Sequence, residues 1–322
     1  MERGTLIRGI GSFYTVLDRN GREYTVRCRK KFRHEGKTPL VGDEVCFSTG
    51  EGNAYGWLEE ILPRKSVCLR PPVSNVKLLL IVVAPVPEPD LLLTDRQISR
   101  AIGQNMNVMI AVNKCELEMN QGQSLAERIE DEYTASGFPV LRVSAKMGTG
   151  LEMLRKEIRK KTEPGNSFLT THDEIGCGRE ESGQQSGICC VTGQSGVGKS
   201  TLLNALLGLS LETGDISQKI GRGKNTTRHT ELICREGLRV VDTAGFNLLE
   251  AETELEPGKL KERYPEFRPY EGKCRFRECQ HDREPGCAVT EAMEKGVISE
   301  ARVDRYRMLL REARENWKNR FD

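Results

Sequence analysis

The chain reads as three parts in series: an all-β barrel, an α/β domain on a mostly parallel sheet, and a mainly helical segment organised by cysteines. Three observations predict this. Residues 1–62 hold short runs that alternate apolar and polar, with no helical period. From residue 76 the apolar runs become continuous, strand-length and rich in Val and Ile, with helical patterns between most of them. Beyond residue 248 strand signals stop, and a Cys/His cluster lies among charged helical patterns.

The 322 residues set an expectation of two or three domains, and 37% hydrophobic with 30% charged residues leaves material for real cores. A formal net charge of +2 excludes any global charge argument for a partner, although residues 1–70 carry 13 Lys/Arg against 9 Asp/Glu. MERGTLIRGI holds no apolar run long enough for a signal peptide. The longest apolar stretch, LLLIVVAPV at 78–86, is too short to span a bilayer and contains Pro85. The expectation is a cytoplasmic protein without membrane contact. Eleven cysteines in such a chain argue against a disulfide framework and for metal ligation where they cluster.

In the first part, TLIRGI, FYTVLD, EYTVRC, EVCFS and YGWLEEIL are separated by turn signals such as Asn20-Gly21 and Gly42-Asp43. They predict a small barrel or sandwich, with the five-stranded OB barrel a good candidate, over residues 1–70. RCRKKFRHEGK, 27–37, has six basic residues, one acid and Phe32 between them. This reads as a phosphate-contacting loop with an aromatic available for stacking, or alternatively as a solvated charged hairpin. PRKSVCLRPPVSNV, 63–76, is a connector, because Pro71-Pro72 forbids helix and favours an extended path.

The second part spans 71–248. VKLLLIVVAP, NVMIAVN, FPVLRVSA, GICCVTG and LRVVDTA are its strands, and SLAERIEDEYTAS and LEMLRKEIRKK are two of its helices. Cys189 and Cys190 lie inside a strand and are expected to pack. Residues 165–187 are polar and aperiodic, a surface insertion whose His172 and Cys177 carry no signal.

The third part, 249–322, ends in a helix over roughly 299–318 with Val303, Tyr306, Leu310, Ala313 and Trp317 on one face. Seven basic residues against three acidic ones between 302 and 320 make this helix a second candidate RNA surface. CRFRECQHDREPGC places Cys274, Cys279, His281 and Cys287 as C-x4-C-x-H-x5-C. Three thiolates and one imidazole suit tetrahedral Zn²⁺ in a closed structural site. Core cysteines are the alternative, but the intervening residues are too charged to pack in a core.

GQSGVGKS, 193–200, fits G-x-x-x-x-G-K-[ST] between an apolar strand and a helical run. Gly193, Gly196 and Gly198 let the backbone turn its N–H groups toward phosphate oxygens, and Gln194, Ser195, Val197 and Thr201 complete the loop. Lys199 supplies full charge to the β/γ-phosphates, and the Ser200 hydroxyl is a Mg²⁺ ligand. VVDTAG, 240–245, ends another strand; Asp242 can hold a water on Mg²⁺ and the Gly245 N–H can reach a γ-phosphate. Between them GRGKNTTRHT, 221–230, carries Thr226 and Thr227 in a basic loop that suits a switch segment or, alternatively, is only solvated surface.

AVNKCEL, 111–117, follows a strand and reads as a guanine loop. Asn113 donates to the purine edge, the Lys114 stem packs on the ring, Cys115 intervenes and the Glu116 carboxylate accepts from guanine N1–H and N2–H₂. VSAKMGTG, 143–150, is its companion, with Ser144, Lys146 and the Ala145 N–H aimed at O6. Guanine offers that donor pair and adenine does not, so a carboxylate selects GTP. Yet the base loop comes first, and the phosphate loop begins 80 residues later.

The order is base loop, companion loop, phosphate loop, Thr pair, D-x-x-G. With NKCE, SAK, GQSGVGKST, GRGKNTTRH, DTAGF, a preceding barrel and a Cys/His segment, it resembles the circularly permuted, ribosome small-subunit-dependent GTPases, the RsgA (YjeQ, YloQ) family. The resemblance covers nearly the whole chain. It implies a circularly permuted P-loop GTPase domain, one structural zinc, Mg²⁺ with GTP or GDP, and contact with rRNA on the 30S subunit during its late maturation. Hydrolysis would be stimulated by the subunit, with the protein a monomer.

Three positions depart from the family. Glu116 stands where Asp is usual. Asn225 stands where a proposed catalytic His precedes the Thr pair, leaving His229 as the nearby substitute. Phe246 stands where Ras-like GTPases have a water-orienting Gln, so intrinsic hydrolysis should be slow. The rival readings are a non-enzymatic RNA-binding GTP/GDP sensor and a P-loop ATPase, the latter opposed by the paired base loops.

Overall fold

The computed structural model describes residues 1–29, 32, 36–50, 55–69, 72–118, 123–163, 186–209, 230–242 and 255–320. Asn225, Thr226, Thr227, His229, Gly245, Phe246, His172, Cys177 and the Asp242 side chain lie outside the described residues.

Strands β1 (Glu2–Ile10), β2 (Phe13–Asp18), β3 (Glu23–Cys28), β4 (Glu44–Ser48) and β5 (Gly56–Ile61) close a barrel in the order β1-β2-β3-β5-β4. Closure rests on β1, whose first residues pair with β4 while most of its length pairs with β2, with a register shift between Leu6 and Arg8. Such an irregularity bends a strand enough to serve two neighbours. Gly4 sits where both pairings overlap, and a Cβ there would lie 2.5 Å from the Leu17 carbonyl oxygen. The period-two alternation sends Leu6, Val16, Val26, Val45, Phe47 and Leu58 inward.

Phe32 joins that core at 3% exposure. The aromatic expected to stack from the basic loop is therefore spent on packing. Burying a phenylalanine is worth about 1.5–3 kcal/mol, which decides its direction in a barrel this small.

β6 (Val67–Leu69) and β7 (Pro72–Ser74) form a hairpin that carries the chain out of the barrel. Pro72 opens its strand, a position where proline is tolerated. Buried Asp43 accepts from Arg64 Nε and Leu40 N at 2.7 Å each, tying the connector to the barrel.

The central sheet contains β8 (Val76–Val83), β9 (Asn107–Val112), β10 (Val140–Arg142), β11 (Ile188–Thr192), β12 (Leu232–Arg235) and β13 (Leu238–Asp242). Its order is β10-β9-β8-β11-β13-β12, and β12 is the one antiparallel member. Leu79, Ile81 and Val83 of β8 pack toward α1 (Leu91–Gly103) and α2 (Leu125–Tyr133). Leu78, Leu80 and Val82 pack toward α3 (Leu151–Thr162) and α4 (Lys199–Leu206). Two covered faces explain the continuous apolar runs, and Cys189 and Cys190 are fully buried, one on each face.

The half that comes first in the chain, β8 to β10, lies beside β11 through the β8–β11 pairing. The C-terminal ends of β8, β9, β10, β11 and β13 therefore share one edge of the sheet. Chain order does not affect that edge, since a compact α/β domain can be cut at one loop and rejoined at another.

The C-terminal segment consists of two 3-10 stretches, Pro257–Arg263 and Pro265–Tyr270, the Cys/His loop, α5 (Ala288–Glu294) and α6 (Glu300–Lys318). Ser299 caps α6 by accepting from Arg302 N. Val303, Tyr306, Leu310 and Ala313 are buried, and the rings of Tyr264, Phe267 and Tyr306 pack with centroids 4.8–5.1 Å apart. Part of the basic character of α6 is internal. Arg302 is 1% exposed and binds Glu266 (2.7 Å) and Asp95 of α1. Arg305 binds Asp95 (2.6 Å) and Glu132 of α2 (2.7 Å), Tyr133 also donates to Asp95, and Arg314 binds Asp282 at 2.7 Å. These cations neutralise carboxylates and are not offered to a partner, whereas Arg311 and Lys318 of the same helix are exposed.

Candidate functional site

Asn113 directly follows β9 and is 1% exposed. Its Nδ2 donates to Val197 O at 2.9 Å, and its Oδ1 accepts from Ala145 N at 3.0 Å. One amide thus joins the base loop to the phosphate loop 84 residues on and to the companion loop. Asparagine suits the position because it carries both a donor and an acceptor. Lys114, at φ +60°, donates to Gly196 O (2.7 Å) and Val86 O (2.8 Å), so its stem lies across the same edge.

Cys115–Leu117 make a 3-10 turn held by Cys115 N to Val143 O at 3.2 Å. It presents Glu116 to solvent. The Ser144 hydroxyl holds the Glu116 carboxyl below the usual range against partial desolvation, with help from the turn backbone, Lys146 and Lys114. Buried Ser144 also accepts from Met147 N at 3.0 Å, so it is itself fixed. The longer Glu side chain therefore has a positioned partner, and Lys146 is exposed beside it.

Two glycines of the phosphate loop are obligatory by geometry. Gly193 has φ +140° with an added Cβ 2.1 Å from Val82 O. Gly198 has φ +89° with an added Cβ 2.6 Å from Asn113 Nδ2. Only glycine fits such backbone without strain. Val197 is fully buried, which pins the loop to the core below it. Gln194 accepts from Asp90 N at 3.2 Å, while Ser195 and Gly196 are exposed. Lys199 Nζ donates to Gly193 O and Gln194 O, both 2.8 Å, which holds the ammonium over the loop. Ser200 is exposed and Thr201 half-buried in the first turn of α4, whose N-terminus adds partial positive charge. Asp242 pairs in register with Val191, two residues before the phosphate loop.

In the C-terminal segment the ligand atoms of Cys274, Cys279, His281 and Cys287 all lie within 4.8 Å of one another. His281 Nδ1 is 3.6 Å from Cys274 Sγ, 3.6 Å from Cys279 Sγ and 3.4 Å from Cys287 Sγ. A tetrahedron with Zn–S near 2.3 Å and Zn–N near 2.05 Å requires N···S edges of about 3.5 Å, so the donor set fits a tetrahedral cation. Burial, and secondarily Lys261, push His281 down to about 4, which leaves a neutral imidazole. Burial pushes the Cys279 thiol up, so a thiolate there calls for a cation. The loop is clamped by Lys261 to Cys279 O (2.9 Å), Tyr306 to Gln280 O (2.5 Å) and Arg314 to Gln280 Oε1 (2.6 Å).

The barrel holds a surface that reading the chain missed. Phe13, Arg27 and Trp57 are cross-strand neighbours in register. Arg27 lies 4.8 Å over the Phe13 ring and 5.1 Å over Tyr55, and Arg29 lies 5.7 Å over Trp57. Tyr55 and Trp57 are 49% and 42% exposed. The signal was there in the phase: with Val26 and Leu58 inward, Arg27 and Trp57 must point out.

Two family models match the chain: "RsgA N-terminal domain" over residues 3–58, and "RsgA GTPase" over 61–164 and 168–252. The chain is 38% identical to "Small ribosomal subunit biogenesis GTPase RsgA" of Geobacillus thermodenitrificans, covering 98% of each. It is 37% identical to the protein of that name from Ruminiclostridium cellulolyticum, covering 95% of this chain and 92% of the relative. Among solved structures, YjeQ from Thermotoga maritima matches with a TM-score of 0.75 at 28% identity, covering 97% of this chain and 98% of the other. YloQ, described as a circularly permuted GTPase, matches with a TM-score of 0.74 at 28% identity, covering 98% and 96%. The shuffled loops that meet through Asn113, the closed barrel before them and these matches together place the chain in the RsgA GTPase family.

Proposed function

We propose that this GTPase acts in late maturation of the 30S ribosomal subunit, docking on rRNA through its barrel and its C-terminal metal segment and hydrolysing GTP faster when the subunit is present. The observation that carries the nucleotide reading is the Asn113 amide, which brings residues 113–116 and 144–146 to the phosphate loop. A nucleotide with its phosphates at 193–201 then has its base beside Glu116, whose carboxylate accepts the two guanine donors that adenine lacks.

Lys199 and the loop N–H groups stabilise charge that develops on the phosphoryl oxygens. Ser200, one Thr of 226–227 and, through water, Asp242 would hold Mg²⁺. Bound there, the cation neutralises β- and γ-phosphate charge. With Phe246 in place of a water-orienting Gln, Asn225 and His229 are the candidates to orient water, and basal turnover is slow. The metal of the C-terminal segment is Zn²⁺, on the strength of its thiolate-rich tetrahedral donor set. The barrel face of Phe13, Arg27, Arg29, Tyr55 and Trp57 supplies stacking and phosphate contacts to unpaired rRNA. Among the described residues no helix is long and apolar enough to cross a membrane; the reading is of a cytoplasmic monomer.

Phosphate release from GTP and from ATP, with and without purified 30S subunits, tests this. Stimulated GTP hydrolysis is the expected result. GTP binding without stimulated turnover would favour an RNA-binding nucleotide sensor instead, and an ATP preference would overturn the base-site assignment.

A further inference from the structure

α1 holds one polar contact in an apolar setting. Gln97, 1% exposed, donates through Nε2 to Thr192 Oγ1 at 3.1 Å, and Thr192 is fully buried. Their neighbours Ile98, Ala101 and Cys190 belong to the apolar cluster on this side of the sheet. The other half of the Gln97 amide, Oε1, has no partner among the described residues. A buried amide left half unpaired costs stability, and an apolar pair of similar shape would not. Packing alone does not account for these two residues.

Position does. Thr192 is the last residue of β11, in register with Ile81 of β8. Gly193 then leaves the sheet at φ +140°, and its carbonyl and that of Gln194 hold Lys199 Nζ. Any rotation of Thr192 carries both carbonyls, and the ammonium with them. The helix takes a second hold at its cap, where Asp90 N donates to Gln194 Oε1 at 3.2 Å. α1 thus grips the chain on both sides of Gly193. The helix is itself braced from behind. Asp95 takes Arg302 and Arg305, Arg96 forks onto Glu312 at 2.7 and 2.9 Å, and Leu92 packs against the C-terminal core.

We propose that Gln97 is a positioning residue for GTP hydrolysis: through Thr192 it fixes where the phosphate loop leaves the sheet, and so where Lys199 meets the phosphates. Gln97 itself acts only through Thr192. The inference goes beyond the phosphate-site reading of residues 193–201 and rests on it. The required displacement is small, since a misplacement of about 1 Å can cost on the order of a hundredfold in rate.

The experiment is steady-state GTP hydrolysis by the full-length, metal-loaded protein with Mg²⁺, alongside a thermal melt. Gln97→Met keeps length and packing without the donor, and Thr192→Val keeps the shape without the hydroxyl. The double variant strands no polar partner, so its melting temperature stays at or above that of the parent chain. Its kcat/KM is expected to fall about tenfold or more, and Thr192→Ser, which keeps the hydroxyl, restores most of the rate. A parental kcat/KM in the double variant overturns the proposal, whether or not the melting temperature moves, because the pair then serves packing only. A Thr192→Ser protein as slow as Thr192→Val overturns it too. Lys199→Ala is the control on the underlying reading: GTP binding that survives it sinks the phosphate site, whereas the first two results sink Gln97 alone.

Discussion

The sheet domain and the C-terminal segment hold their structures by different means. In the sheet, both faces of β8 and β9 are buried under helices, and apolar contact does most of the work. Among its interior polar groups, Asn113 serves double duty. The C-terminal segment instead has three packed rings, two buried metal-ligand cysteines and an ion cluster joining Asp95, Glu266, Arg302 and Arg305. A segment this small buries only a marginal apolar core. Directed bonds take over: a tetrahedral donor set on one side and paired buried charges on the other. The contrast teaches where each region is fragile, since apolar cores lose stability gradually whereas donor sets and buried charges fail at single atoms.

The sharpest way to break the contrast is to remove the metal. Structural zinc sites contribute about 10–16 kcal/mol of apparent folding free energy. Chelation or Cys279→Ser should therefore open residues 255–320 to protease while the sheet domain keeps its own thermal transition. A single melt, unmoved by chelator, would show that both regions rest on the same kind of core.

Next in size is Arg302→Ala, which strands Glu266 in the interior and leaves Asp95 to Arg305 and Tyr133. Breaking a buried pair from one side costs about 3–5 kcal/mol, so the urea midpoint of the C-terminal transition should fall steeply. A change under about 0.5 kcal/mol, the scale of ordinary surface substitutions, would mean the cluster is solvated in solution.

On the sheet side Asn113→Ala leaves Val197 O and Ala145 N–H unpaired, about 1–3 kcal/mol for each buried group. GTP affinity by calorimetry and the melting temperature of the sheet domain should drop together. Asn113→Asp keeps the acceptor for Ala145 and should fall between. Lost stability with unchanged affinity would separate the tie from the base site.

The smallest effect sought on stability is at Trp57. Trp57→Ala should leave the melting temperature nearly unchanged yet weaken single-stranded RNA binding by about 1–3 kcal/mol, in line with one lost stacking partner. Equal RNA affinity by fluorescence anisotropy would dismiss the barrel face.

Much of the site is legible in the sequence. Gly193 and Gly198 are demanded by backbone torsions within a single loop, and the Cys/His spacing is demanded by one ion's donor geometry; both requirements are local. The three-part fold was readable from the switch between alternating and continuous apolar runs. Phe32 and Arg302 escape a reading of the sequence for a common reason. Phe32 stands in a basic stretch and Arg302 on a basic helix, but composition does not say which way a side chain points. Phe32 had a core to fill, and Arg302 had Asp95 opposite, contributed by a helix 207 residues earlier.

The letters alone thus settled which groups exist and in what succession: a phosphate loop, a guanine-type pair of loops ahead of it, a thiolate-rich metal motif. Those are short-range patterns, enforced by torsion and bonding within a few residues. Packing alone settled which of them meet and which charges are left for a partner. Asn113 tying three loops, Ser144 steadying Glu116 and the outward phase of Phe13, Arg27 and Trp57 all depend on strand register. Register is a property of the whole sheet, because a slip by one residue turns every side chain to the opposite face.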